Sequence, residues 1–345
     1  MKEIKTEVPH LSQPTSGRPA PGRLNFLVSK TLHCTYSYLM SEQDAKAQTT
    51  AYLMLALGAA CVSFAPVFVK MLGGGIIGLT AIAFWRTLFG SAILFALAAL
   101  NRRPLVLPRS LYLWSVLAGF IFFLDLTIWH RSIIYAGAGL STILANTQVF
   151  ATAVFSYFVF KEHLSLRFFI AAVSGIIGVV LLVGIGSDIE FTTLYLRGIA
   201  FGLITGLVYG SYIITLKRVG QRQPAPDFLT FIAWTSLFCA LFTGIGSVFE
   251  EGAFMPPDLR ALGVLLLLGL VVQALGWWVI SQSLSIVPAS RAGLILLLQP
   301  TLATAWGVMF FAEQLTVGQA VGAVITLGAI YYGSIYRPRI RPPAG

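Results

Sequence analysis

Arg86 and Asp125 each stand alone inside an otherwise apolar stretch, FWRTLF and FFLDLT. A charge in such surroundings either is neutralised by a partner, as a buried ion pair, or handles a proton or a substrate group. Asn146, Gln148, Gln273 and Gln299 are uncharged polar residues in similar surroundings. Each offers donors and acceptors that stitch helices together at about 1 kcal/mol or less, or that meet a small polar solute. Tyr209, Tyr212, Trp277 and Trp278 would wall such a pocket, although the same spacing serves packing. Arg291 is long enough to reach an interface, or to capture an anionic group there. Cys34, Cys61 and Cys239 are too scattered for a metal cluster, and no HExxH, GxSxG or Walker pattern occurs. The residues therefore point to no catalytic group, metal or cofactor, and to binding rather than bond-making.

The elements that carry these residues follow from composition. Of 345 residues, 57% are hydrophobic and 10% charged, and mean hydropathy is +0.82. A water-soluble globule has near one quarter charged residues and could not bury this much apolar side chain. A soluble enzyme, a disordered chain and a nucleic-acid binder are thereby excluded. The expected class is an all-α integral membrane protein. Runs of about 20 apolar residues, the length needed to cross the hydrocarbon, fall at Ala51–Lys70, Gly78–Leu100, Ser110–His130, Ala136–Phe160 and Arg167–Gly186. They recur at Arg197–Leu216, Phe228–Phe249, Ala261–Leu284, Ser290–Phe311 and Val317–Tyr336. Ten transmembrane helices is the most economical count.

Charge sets the orientation. Of the 23 Lys and Arg, 17 fall in the two tails and the even-numbered connections and 4 in the odd ones, with Arg86 and Arg291 inside spans. Positive residues stay inside, so both termini are expected in the cytoplasm of a multi-pass cell-membrane protein. The net charge of +10 reports this bias and not an affinity for nucleic acid. In this frame Arg86 lies roughly 12 Å, and Asp125 roughly 8 Å, below the outer ends of neighbouring spans. Similar depth predicts that they pair. His130, next to Arg131, is expected in solvent, with gating or proton relay as the alternative. Residues 1–50 are polar and read as a disordered cytoplasmic tail, with Met40 a natural start; 337–345 form a basic tail.

The chain repeats itself. LANTQVFATAVFSYFVFKEHLSL (144–166) matches LLLQPTLATAWGVMFFAEQLTV (296–317), with Gln148 on Gln299 and Glu162 on Glu313. FWRTLF (84–89) matches AWTSLF (233–238), and Lys70 matches Lys217. Two five-helix repeats, 51–186 and 197–336, result. Five is odd, so the copies enter the membrane with opposite orientation, an arrangement suited to alternating access around a midplane site. Glu162 and Glu313 end their helices as interfacial caps or ion pairs. Gly198, Gly202, Gly206 and Gly210, and in the last span Gly318 and Gly322, make side-chain-free stripes for close helix approach.

On these residues the chain resembles the drug/metabolite transporter superfamily, and within it the EamA-like family. The resemblance rests on the paired repeats over roughly 50–336, Arg86 early in the second span, Gln299-Pro300 with Glu313-Gln314-Leu315, and Glu162-His163-Leu164. Val149 stands where the first copy would carry the Pro. The resemblance implies secondary transport, often export, of small metabolites such as amino acids, or of drugs. Partners are then a small-molecule substrate and the lipid bilayer, with a homodimer as a further arrangement. A non-transporting polytopic receptor or scaffold is the alternative. No ring of identical groups or filter suggests a passive channel.

Overall fold

The computed structural model describes residues 46–72, 77–136, 141, 144–183, 192–223, 225–250, 252–312 and 316–334. The polar segment with Met40, Glu313 and the basic carboxyl tail lie outside the described residues. The chain divides into two compact units, Met1–Gln48 and Thr49–Gly345. Of the first unit only residues 46–48 are described, and the helical bundle belongs to the second.

The helices are α1 (Lys46–Met71), α2 (Leu79–Leu100), α3 (Arg109–Ala136), α4 (Leu144–Phe160), α5 (Leu166–Val183), α6 (Thr193–Gly220), α7 (Phe228–Ser247), α8 (Leu259–Leu284), α9 (Ala289–Phe311) and α10 (Val317–Ser334). Seven of them, α1 to α3 and α6 to α9, are long and apolar enough to cross a membrane. The apolar stretches of α4, α5 and α10 are shorter. Large apolar side chains such as Leu113, Phe158, Leu203 and Val324 point outward, as a hydrocarbon solvent requires. Residues just ahead of helix starts cap them with side-chain oxygens: Ser165 accepts from Phe168 N–H, Thr192 from Tyr195 N–H, Asp227 from Thr230 N–H and Asp258 from Ala261 N–H.

The boundary between the third and fourth spans differs most from expectation. Arg131 does not end α3, which runs on to Ala136. Arginine is a good helix former, and Arg131 Nη1 donates to Thr127 O one turn back at 3.2 Å. Ser132 then ties the end of α3 to Gly198 O and Ser141 Oγ, both at 2.8 Å.

Two pairs of corresponding helices, α2 with α7 and α5 with α10, lie side by side and antiparallel. Trp85, near the start of α2, donates its indole N–H to Phe254 O at 2.8 Å, in the loop after α7. Trp234, near the start of α7, donates to Leu105 O at 2.9 Å, in the loop after α2. The two bonds are the same bond with the copies exchanged. The helices α5 and α10 pack likewise, Gly178 against Thr326 and Gly175 against Ala329. Lys161 and Ala312, which close α4 and α9, both take left-handed backbone, φ 55° and 53°.

The copies also differ. α1 is interrupted at 63–64, just ahead of Pro66, whereas α6 runs unbroken. α8 contains a π-helical stretch, Leu268–Gly276, whereas α3 is regular. Both α4 and α9 are broken in their first halves, at Thr147 and at 296–297, although only α9 carries a Pro there. The glycine stripe of α6 packs as expected, since a Cβ on Gly202 would meet Leu144 Cβ at 2.7 Å and one on Gly210 would meet Ala151 Cβ at 2.9 Å. In α10, Gly322 receives α5, whereas among the described residues a Cβ on Gly318 would meet only Thr316 Oγ1, at 3.9 Å.

Candidate functional site

A cavity of about 140 Å³ lies among α1, α2, α3, α4, α6, α8 and α9. Both repeats build it. From the first come Val62 and Pro66, Arg86, Phe122, Asp125 and Trp129, and Asn146; from the second come Thr205 and Tyr209, Trp277, Gln299, Pro300 and Ala303. Its walls include the ends of broken helices: Asn146 just precedes the break in α4, and Gln299 just follows that in α9. Irregular backbone within an apolar bundle is tolerated where it lines a cavity.

Arg86 is 8% exposed, and its Nε donates to Gln273 Oε1 at 3.1 Å. Gln273 in turn donates to Ser236 Oγ at 2.9 Å. The π-helical turn of α8 places Gln273 against α2, and Gly90 admits it, since a Cβ there would stand 2.6 Å from Gln273 Cβ. Cζ of Arg86 lies 5.6 Å from the Phe122 ring centre. Asp125, 9% exposed, lines the same cavity, with its Oδ1 buried and without a hydrogen-bond donor. The expected contact between Arg86 and Asp125 is not formed: among the described residues the two make no ion pair. The reason is that Gln273, reaching in from α8 and itself anchored by Ser236 of α7, takes up the guanidinium Nε instead.

Tyr209 Oη and Gln299 exchange hydrogen bonds across the second repeat, at 3.2 and 3.4 Å. Trp277 stands edge-on to Tyr209 and Tyr212, with its Nε1 buried and unpartnered. Several of the sequence candidates fall outside the lining. Gln148 donates to Gly293 O at 3.0 Å and accepts from Thr152 Oγ1, which stitches α4 to α9. Gln273 acts behind Arg86. Tyr212 is fully buried, stacked on Phe122 at 4.8 Å, and Trp278 packs beside the core. Arg291 donates to Tyr52 Oη at 2.8 Å, joining the start of α9 to α1. His130, expected in solvent, is only 7% exposed, because α3 continues past it.

Sequence reasoning missed Phe122, one turn before Asp125, and Thr205, one turn before Tyr209; the three- and four-residue spacings were the available signals. It also missed where Glu162 and Lys217 meet. Glu162 accepts from Ala289 N–H (2.9 Å), Ser290 N–H (3.2 Å) and Ser290 Oγ (2.8 Å) at the start of α9. Lys217, at the end of α6, lies 3.8 Å from Glu162 and donates to Val287 O at 2.7 Å and Leu284 O at 3.5 Å. The carboxylate thus sits at a helix N-terminus and the ammonium at a helix C-terminus, each where the peptide dipoles favour it. This cluster closes the end of the bundle away from the cavity, and Tyr212, Leu216, Leu284, Val287 and Ala292 fill the space between.

The EamA-like transporter family model matches the chain twice, over residues 49–184 and 196–334. A probable amino-acid metabolite efflux pump of Salmonella typhimurium is 26% identical over 213 residues, 60% of this chain and 70% of that protein. The threonine/homoserine exporter RhtA of the same species is 28% identical over 216 residues, 62% of this chain and 68% of that protein. A transporter of Archaeoglobus fulgidus is 24% identical over 278 residues, covering 80% and 93%. A solved structure superposes with a TM-score of 0.73 at 14% identity, over 83% of this chain and 97% of that one, and so shares the fold. The chain belongs to the EamA-like transporter family, a multi-pass membrane protein built from two copies of one repeat.

Proposed function

We propose that this protein is a secondary active exporter of small metabolites, amino acids or their relatives, with drugs as the neighbouring class. It works by alternating access in the cell membrane. In this reading α4, α5 and α10 cross as well, giving ten spans in two inverted repeats with both termini in the cytoplasm. The observation that carries it is the cavity, to which both repeats contribute polar and aromatic side chains beside broken helices. Carriers built from inverted repeats hold substrate at such a place. The Glu162–Lys217 cluster then seals the cytoplasmic side, while the cavity lies toward the outer half. Names of two relatives, an amino-acid metabolite efflux pump and a threonine/homoserine exporter, support the substrate class.

The test is flux. The purified chain in proteoliposomes, with an imposed proton gradient and a panel of labelled amino acids and amines, is expected to give saturable, gradient-dependent movement. A receptor or scaffold would give none.

A further inference from the structure

We propose that Arg86 and Asp125 hold the two ends of a zwitterion: Asp125 takes the α-ammonium and Arg86 the α-carboxylate of a free neutral amino acid, whose side chain lies on the aromatic wall. The proposal rests on the export reading above and assigns its substrate contacts.

Two opposite charges face one cavity without forming an ion pair. Arg86 spends Nε on Gln273, itself anchored by Ser236. That bond fixes the plane of the guanidinium. Among the described residues its terminal nitrogens make no hydrogen bond, and such a fork fits the two oxygens of a carboxylate. Asp125 presents a buried carboxylate oxygen with no donor. Buried polar groups are otherwise almost always paired, and a buried anion needs both donors and positive charge. An ammonium brings three donors and the charge. A ligand with one charge would satisfy one end and leave the other as it was. A zwitterion satisfies both at once.

The lining also limits the side chain. Arg86 and Asp125 are the charged residues of the lining, so a lysine or glutamate side chain would meet no third charge there. Phe122, Trp129, Tyr209 and Trp277 offer ring faces for an apolar side chain, and such faces also favour the ammonium.

The experiment measures competition against labelled L-leucine, with the full chain in lipid nanodiscs. Competitors are leucine amide (carboxylate capped), N-acetylleucine (ammonium capped), L-lysine and L-glutamate. Unlabelled leucine is expected to compete, and each other ligand to be weaker by at least about tenfold. D125N is expected to weaken leucine without weakening the anionic N-acetylleucine; R86Q is expected to weaken leucine without weakening the cationic leucine amide. The ligand series on the unaltered protein stands even if a variant fails to fold. Capped analogues equal to leucine, or a D125N protein with full leucine affinity and altered proton coupling alone, overturn the assignment while leaving export intact. If no free neutral amino acid binds while another solute is carried, the amino-acid class itself fails, and the assignment with it.

Discussion

Gln273 holds Arg86 in place, and its loss would leave Nε–H of a buried guanidinium without an acceptor. The expected cost of Gln273→Leu is roughly 1–3 kcal/mol, the penalty of an unsatisfied buried donor to a charged group. Ser236→Ala leaves the Gln273 amide N–H, a neutral donor, without its acceptor and should cost less, about 1 kcal/mol. Thermal unfolding in detergent, compared between the two variants, checks the order. At this scale the sequence was informative about type and poor about partnership. Arg86, Asp125, Asn146, Tyr209, Trp277 and Gln299 were identifiable as polar or aromatic groups inside apolar runs, and all line one cavity. That Arg86 bonds Gln273 across 187 positions, and not Asp125, depends on the rotation of α8 through its π-helical turn, which no local pattern announces. His130 was misjudged for the complementary reason: a neighbouring Arg131 looks like an interface in the sequence, while in space the helix continues.

The elements that meet at the Glu162–Lys217 cluster come from both repeats, α4 from the first, and α6 and the junction of α8 with α9 from the second. Glu162→Ala leaves Lys217 buried beside carbonyls without its counter-charge, and breaking one partner of such a pair is more harmful than removing both. A Cys placed at Asn146, in a background lacking the native cysteines, is expected to react faster with a thiol reagent applied from the cytoplasmic side once Glu162 is replaced. The double variant Glu162→Ala with Lys217→Met should recover part of the lost stability, with a coupling of about 0.5–3 kcal/mol. Unchanged labelling would show that the cluster is not a barrier. A second expectation belongs to the helix ends: Ala312→Gly relieves a left-handed residue and should stabilise by about 1 kcal/mol, read as a higher unfolding temperature. The repeat was legible here as matched residues, Lys70 with Lys217 and Glu162 with Glu313. Which atoms Glu162 grips was not, because its ligands are the backbone N–H groups of α9, and backbone carries no signature in sequence.

Across the whole molecule the two tryptophan bonds make the symmetry testable. Trp85→Phe and Trp234→Phe each delete one indole donor at matching places; the Trp85 bond is half-buried and the Trp234 bond exposed, so the losses should be about 1 kcal/mol and somewhat less, in that order. Membrane sidedness is open to test at the same two loops: a Cys at Arg103 should label from the cytoplasm and one at Ala253 from outside. Labelling of both from one side would contradict the inverted arrangement. An indole whose acceptor belongs only to the opposite copy means that neither copy is finished alone. A gene encoding just one of them could yield a working particle solely by pairing two chains head to tail, one inserted each way up. Fusion into a single polypeptide removes that lottery, and frees each copy to drift into its own specialised share of the wall.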